Sequence, residues 1–419
     1  MEYLSVMDAQ KSILESVNRP GIETVRLEQS FGRVLAEDVR SNRDIPPYDV
    51  SAMDGYALRS ADLSKVPAML EIIEDIKAGD IPTKTILTGQ CARIMTGAPL
   101  PQGADAVIRE EDTQTAPDGK VQIGIAVKTG NDVRAQGEGM RNGEVVLVAG
   151  TEITPGVTGI LATVKCAQVP VYRRPRVAIL STGNELEGID DPVDPNKIPN
   201  SNSYALMAQV QALGMEPNLL GIARDEPAEL EEYLQRGLRF DVLLVSGGTS
   251  VGVHDYVRPV VESLGVQMKF WRVAMKPGHP VAFGILQRKK ENTADAYVFG
   301  LPGNPVSSMV CFEEFVAPAL RCMMGHTRLH RRTVAARLTH DLKHQPGRTE
   351  FVRVVLAREK DGYAATSTGA QGSGMLLSMA RADGLMVVPA ECAGLISGDQ
   401  VTVQLLEGIA YQDQADFRE

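Results

Sequence analysis

The spacing of apolar positions changes along the chain, and each change marks a different kind of element. Near the amino terminus Val6, Ala9, Ile13 and Val17 recur at helical spacing behind Ser5 and Asp8, which form a variant capping box, until Pro20-Gly21 stops the run. A first amphipathic helix is expected there. From about residue 60 to about residue 150 the pattern becomes short β-like runs at 70–73, 106–109, 121–127 and 145–148, broken by Gly, Pro and Asp with little helical period. This predicts a mainly β region. Thr154 then caps a helix that runs through Val164, with Pro155 at its first position.

Beyond Arg173-Arg-Pro175 the rhythm becomes strand, loop, helix, repeated. Strands are predicted at 177–180, 218–222 and 242–245. Between them lie a helix lined by Leu206, Val210 and Leu213 and ended by Gly214, then another at 227–238. A third follows at 256–264, ended by Gly265. Val242-Leu-Leu-Val245 is apolar without alternation, as in a strand buried on both faces. Such alternation of strands and helices means a parallel sheet with helices on both faces. Further β runs at 268–274, 281–286 and 297–299 precede a helix from about 306 to 323. Past Gly325, runs at 334–338, 350–356, 384–388 and 401–405 read as a small β domain. The expected fold class is therefore multidomain, a central parallel-sheet α/β domain flanked by β-rich domains.

Composition narrows the function classes. At 419 residues the chain is too long for one ordinary domain, and 43% hydrophobic with 23% charged residues is average globular material. A formal charge of -10 excludes a general nucleic-acid surface but leaves room for a local basic pocket that takes a small anion. The amino terminus has an early acid and no apolar core segment, so no secretory signal is expected, and no run approaches a membrane span. Five cysteines, Cys91, Cys166, Cys311, Cys322 and Cys392, include no Cys-x-x-Cys pair, which argues against a zinc site or a disulfide framework. A reducing cytoplasm is the simplest home.

In open α/β sheets ligands bind at the carboxyl ends of the strands, and every predicted strand end here carries polar chemistry. The segments are Ser181-Thr-Gly-Asn-Glu185, Arg224-Asp225-Glu226, Ser246 to Asp255, Lys276-Pro-Gly-His279 and Leu301-Pro-Gly-Asn-Pro305. Gly247, Gly248 and Gly252 would let backbone N–H groups approach a bulky anion. Asp255 beside such a nest calls for a bridging divalent cation, although a tight turn capped by the acid reads equally well. One lysine, three acids and Gly-rich backbone on a common rim suit a phosphorylated substrate with a divalent cation.

Other candidates keep two readings. Asp49 and Asp54 sit with Tyr48 and Tyr56 on a turn-rich segment, where acids also satisfy their own backbone, and Thr96-Gly97 offers a hydroxyl and a bare N–H at what can be a plain turn. Arg348 precedes a strand and could clamp an anion, Arg353 within it reads as readily as a solvated face, and Gln371-Gly-Ser-Gly374 is a small-residue loop. The pairs His326/His330 and His340/His344 have i, i+4 spacing but lack the Glu of a zinc hydrolase, which disfavours metal ligation.

These blocks together resemble the molybdopterin molybdenumtransferase family, the MoeA proteins, whose eukaryotic relatives include the E domain of gephyrin. The resemblance is carried by Ser51-Ala-Met-Asp-Gly-Tyr-Ala57, Arg93-Ile-Met-Thr-Gly-Ala98, Arg173 to Leu186, Ser246-Gly-Gly-Thr-Ser-Val-Gly252 and Leu301-Pro-Gly-Asn-Pro-Val306, in the family's order. It implies insertion of molybdenum from molybdate into adenylylated molybdopterin, with Mg²⁺-dependent release of AMP, so that the central domain is a molybdopterin-binding one. It implies catalytic roles for Asp54, Glu185, Asp225, Asp255 and Lys276, with Glu185, Asp225 and Asp255 holding Mg²⁺. Substrate binding would fall to Thr96, Ser181, Gly183, Ser246, Gly247, Gly248, Thr249, Ser250, His279, Pro302, Gly303, Asn304, Arg348 and Ser373.

The implied domains are a segmented amino-terminal one (1–42 and 142–172), a β-rich insertion (43–141), the α/β domain (173–325) and a carboxy-terminal β domain (326–419). The implied assembly is a homodimer whose cleft is completed by the partner subunit. Contacts with molybdopterin adenylyltransferase and with molybdoenzyme acceptors also follow. The chain departs from the family pattern at Val50, Asn184 and Val253, and at His279, which stands where the family has a second lysine. A non-catalytic molybdopterin-binding scaffold and a molybdopterin adenylyltransferase are the alternatives. The acids favour an enzyme over the first, and the length of the match disfavours the second.

Overall fold

The computed structural model describes residues 3–116, 118–248, 256–288, 294–360 and 362–406. Internal contacts divide the chain into two units, one formed by Met1–Val25, Gly32–Ala36 and Pro170–Glu419, the other by Arg26–Phe31 and Glu37–Val169. The four-part division implied by the resemblance is finer than this partition.

The second unit is mainly β, as its short apolar runs predict. Its six-stranded sheet has the order Ala106–Arg109, Gly55–Leu58, Gln90–Ile94, Ala68–Ile76, Lys120–Ile123, Thr113–Thr115, all pairs antiparallel except Ala68–Ile76 with Gln90–Ile94. Gly55 is dictated by packing, since a Cβ there would lie 1.9 Å from the Ile108 carbonyl oxygen. Tyr56 and Leu58 bury on one face with Leu70 and Ile108, Ala57 on the other with Ile76 and Ile94, so the strand is covered on both sides. The apolar run at 121–127 is strand only to Ile123. Helix Pro155–Thr163 begins as expected, with Thr154 accepting from the Val157 N–H at 3.4 Å.

The first unit begins with α1 (Val6–Ser16), where Asp8 N–H donates to Ser5 Oγ at 3.0 Å and Ser5 Oγ donates to Asp8 Oδ2 at 2.7 Å. Its α/β layer contains β1 (Val177–Thr182), α2 (Ser201–Ala212), β2 (Asn218–Ala223), α3 (Pro227–Gly237), β3 (Val242–Ser246) and α4 (Val257–Ser263). It continues through β4 (Gln267–Phe270), the two-residue β5 (Met275–Lys276), β6 (Ala282–Leu286), β7 (Ala296–Leu301) and α5 (Pro305–Cys311). The sheet order is β2-β1-β3-β7-β6-β4. Strands β2, β1, β3 and β7 are parallel, as the alternation of strands and helices predicts, while β6 beside β7 is antiparallel to both β7 and β4. Between β4 and β6 the chain holds only the two-residue β5 and no helix, and a parallel return would need one. Alternate residues of β1 serve the two faces, Val177 and Ile179 toward α1 and α2, Ala178 and Leu180 toward α3 and α4.

The predicted helix at 306–323 is continuous but not uniform. A π turn at Phe312–Val316 joins α5 to α6 (Ala317–Met323). Pro318 explains the irregularity, because it has no N–H to give the carbonyl four residues earlier. That carbonyl belongs to Glu314, and the side-chain amide of Gln10 on α1 supplies the missing donor at 3.0 Å. Downstream, β8 (Thr333–Leu338), β9 (Thr349–Glu359), β10 (Gly362–Ser367), β11 (Gly384–Val388) and β12 (Gln400–Leu405) close on themselves in the order β9-β10-β8-β12-β11, with β11 returning to β9. β5 pairs parallel to β9, so it belongs to this sheet and not to the α/β one.

Glu314 itself is 4% exposed. Burial pushes its carboxyl up to about 8, reinforced by Glu313 and opposed by hydrogen bonds from Gln404 and Gln10. Between the ordinary carboxyl value of 4.5 and about 8 the folded protein holds a proton that the unfolded chain has released, so stability falls as pH rises through that window. Glu314→Gln is expected to flatten this fall and to be the more stable protein at pH 9, by on the order of 3 kcal/mol. Thermal unfolding of both proteins at pH 5, 7 and 9 checks it; parallel profiles would remove the explanation.

Candidate active site

The carboxyl ends of β1, β2, β3 and β7 open into a cavity of about 1290 Å³ whose opposite wall comes from the β5 segment and from loops of the carboxy-terminal barrel. On the acid side, Gly183 follows β1 with φ +147°, and a Cβ there would lie 2.5 Å from a Glu185 carboxylate oxygen, so the glycine makes room for that side chain. Asn184 N–H donates to Asp225 Oδ2 at 3.2 Å, and Asp225 N–H donates to Asn184 Oδ1 at 3.3 Å. This exchange ties the end of β1 to the end of β2 and brings Glu185 and Asp225 to the same cavity. Among the described residues no cluster of three or more His, Cys, Asp or Glu could hold a metal. Thr249, Ser250 and Asp255 lie outside the described residues.

Ser246, Gly247, Gly248, Pro302, Gly303 and Asn304 line the floor. Gly247 and Gly248 have φ +96° and +60°, and a Cβ would meet the Thr182 carbonyl oxygen at 2.4 Å or Val257 Cγ2 at 2.2 Å. Only glycine fits. Yet the Gly247 N–H donates to the Leu301 carbonyl at 3.1 Å, so that donor holds β3 to β7 and is not aimed at an anion, contrary to expectation. Ser181 is also displaced from its expected role. It is buried behind the cavity wall, hydrogen-bonded to Asn200 Oδ1 and to Ser203 Oγ, both at 2.9 Å. The residue of this strand that lines the cavity is Thr182, whose hydroxyl oxygen is itself buried and has no hydrogen-bond partner.

Sequence reasoning missed the start of α2. Asn200 caps it, and Asn202 Nδ2 donates to Ser246 Oγ and to the Gly303 carbonyl, both at 2.8 Å, joining two floor loops. The polar run Asn200-Ser-Asn-Ser203 ahead of an apolar helix was the available signal. Also missed was Gln371, which lines the cavity beside Ser373.

On the basic side stand Lys276, His279 and Arg348. Lys276 Nζ lies 2.7 Å from Glu350 Oε1, and Glu350 Oε2 lies 2.8 Å from His344 Nδ1, a buried pair that sequence reading did not foresee. His344 is thus engaged with a carboxylate. A smaller cavity of about 370 Å³ behind Lys276 includes Lys343, His344 and Arg348 in its wall. Burial, then the charges of Arg348 and Arg272, hold the His279 imidazole below its ordinary pKa, so it is neutral at pH 7.

Arg353 corrects another expectation. It is 1% exposed and faces no solvent. Its Nε donates to Ser378 Oγ at 3.2 Å and its terminal nitrogen to the Gly372 carbonyl at 3.1 Å, while its N–H donates to Gln371 Oε1 at 2.9 Å. It therefore braces the loop that carries Ser373, and the Ser373 carbonyl accepts the Val306 N–H at 3.0 Å at the start of α5.

Asp54 and Thr96 belong to the other unit, where they meet each other. Thr96 N–H and Oγ1 both donate to Asp54 Oδ1 at 2.7 Å, and these bonds, the backbone one first, hold the carboxyl below its usual range.

Comparison with known proteins follows this geometry. Residues 4–164 match the family described as MoeA N-terminal region (domain I and II), residues 178–322 a probable molybdopterin binding domain, and residues 335–406 the MoeA C-terminal region (domain IV). A molybdopterin molybdenumtransferase of Nostoc sp. is 38% identical over 389 residues, covering 91% of this chain and 88% of that one. One from Bacillus subtilis is 35% identical over 411 residues, covering 96% and 94%. The crystal structure of a molybdopterin biosynthesis moeA protein from Pyrococcus horikoshii OT3 superposes with a TM-score of 0.81 at 30% identity, covering 97% of this chain and all of that one.

The double constraint on Gly247, positive φ and contact with the Thr182 carbonyl, yields a direct expectation. Gly247→Ala should lose on the order of 2 kcal/mol or more of stability. Denaturant unfolding measures it, and an unchanged midpoint would mean that the backbone at this floor is not held as described.

Proposed function

The chain belongs to the molybdopterin molybdenumtransferase family of molybdenum cofactor biosynthesis, and from that premise we propose that its cavity inserts molybdate-derived molybdenum into adenylylated molybdopterin with Mg²⁺-dependent release of AMP. The observation that carries this reading is the polarity of the cavity: Glu185 and Asp225 on the strand-end side, Lys276 and Arg348 on the barrel side. A substrate with a pyrophosphate link needs a cation near its phosphates, and an incoming oxyanion needs fixed positive charge.

The donor set fits Mg²⁺, which is commonly held by one or two carboxylates together with substrate phosphates and water. Glu185 and Asp225 would hold it, with Asp255 the third candidate from the sequence. When bound, the ion supplies charge neutralisation at the phosphates. The chain's own groups do the rest. Lys276 and Arg348 attract and orient the oxyanion, Ser373 offers a hydrogen bond, and the Pro302-Gly303-Asn304 loop shapes the floor under the phosphates. The reading includes a homodimer in which the Asp54–Thr96 corner of a second copy completes the cleft.

Purified protein given adenylylated molybdopterin is expected to release AMP only with both molybdate and Mg²⁺, and Asp225→Asn and Asp255→Ala should each lower the rate at least a hundredfold. Substrate binding without AMP release under any metal or oxyanion would favour the scaffold instead. His279 gives a second test. A neutral imidazole below its ordinary pKa gains charge only as pH falls, so anion use should improve toward pH 6. His279→Lys should flatten the pH dependence of molybdate use between pH 6 and 8; identical profiles for the two proteins would remove the idea.

A further inference from the structure

We propose that Glu350, steadied by His344, is the positioning residue of Lys276, an inference that rests on the transferase reading above. A lysine is a point charge on a flexible stem, so its usefulness to a reacting anion depends on what fixes its nitrogen. Here the fixing is built into strand register. Lys276 on β5 and Glu350 on β9 are directly paired residues of a parallel ladder, and their charged ends meet at 2.7 Å.

The two partners are unequally mobile. The Lys276 side chain is 51% exposed at the cavity, whereas that of Glu350 is 7% exposed, so the carboxylate is the fixed member. Its second oxygen is also engaged. A carboxylate only accepts, so the hydrogen in the 2.8 Å contact sits on His344 Nδ1, and His344 is itself buried. With one oxygen on each partner, Glu350 cannot turn without breaking a bond. Lys343 and Arg348 stand in the same small cavity, and Arg353 on the same strand feels the Glu350 charge, yet the close contacts of the carboxylate are with Lys276 and His344. The arrangement fixes the nitrogen of a lysine that lines both cavities.

An ion pair that merely fastened two sheets would affect stability and leave the lysine's chemistry alone, so the test reads both. Reductive ¹³C-methylation of the lysines, with Lys276→Arg to assign the signal, should show Lys276 apart from the bulk of lysines in the wild-type protein. Glu350→Gln should move it into the bulk. In AMP release the same variant should lose at least tenfold in kcat while KM for molybdate changes less than threefold, and thermal unfolding is recorded beside it. His344→Gln, which keeps an N–H for the carboxylate, should retain most of the wild-type rate, and His344→Phe should resemble Glu350→Gln.

Should Glu350→Gln fail to fold, Glu350→Asp keeps the charge but draws it back by one methylene, and must show the same loss in kcat. If the wild-type protein releases AMP and the folded Glu350 variant does so equally fast, the positioning role alone is overturned. A wild-type protein that releases none overturns the transferase reading and this inference with it. An unmoved Lys276 signal refutes the pairing whatever the rates.

Discussion

A two-residue ladder joins the halves of the cavity wall. Met275 pairs with Thr349 and Lys276 with Glu350, and the Thr349 N–H reaches the Ala274 carbonyl at 3.0 Å just before them. Two pairs are too few to stand alone in water. They persist because Met275 is buried in the core beneath the α/β sheet, because the ion pair closes over them, and because the Ser373 carbonyl takes the Val306 N–H on the far side of the cavity. Strand ends and barrel loops therefore face one another across a gap whose width is set at both margins.

That construction separates charge by origin. The acids stand on loops that leave β1 and β2, where the two chain segments bind each other through Asn184 and Asp225. The bases stand on the β5 segment and on the loop before β9. A chain with a net charge of -10 thus presents positive groups to one wall of this cavity, and only local placement could do so.

Most of the architecture was legible because period and punctuation agree with burial. Val242 to Val245 reads as a doubly covered strand and is one; Thr154-Pro155 reads as a helix start and is one. The failures have a common cause, which is that long-range pairing leaves little local trace. Nothing near Lys276 announces that it pairs with Glu350. Arg353 looks like a solvated residue until the loop at 371–374 is folded over it, and the antiparallel pairing of β6 with β4 depends on a connection that holds no helix. Gly247 reads from the sequence as a bare N–H for an anion, whereas in the fold that N–H is taken by Leu301 and a Cβ would collide with the Thr182 carbonyl. Ser181 and Thr182 show the same limit at finer grain, since one step along a strand decides which residue is packed behind the wall and which lines the cavity.

The Gln10 amide that serves the carbonyl orphaned by Pro318 lies 304 residues away from it in sequence. On a ribosome α1 emerges before the α/β layer, yet the surface that covers Val6, Ala9 and Ile13 includes residues of the last helix of that layer. Those residues are made only after most of the protein has been synthesised, while the unit made largely of Glu37–Val169 has all of its strands in hand much earlier. The Gln10–Glu314 bond, and with it that part of the cover of α1, can form only after the α/β layer has been made.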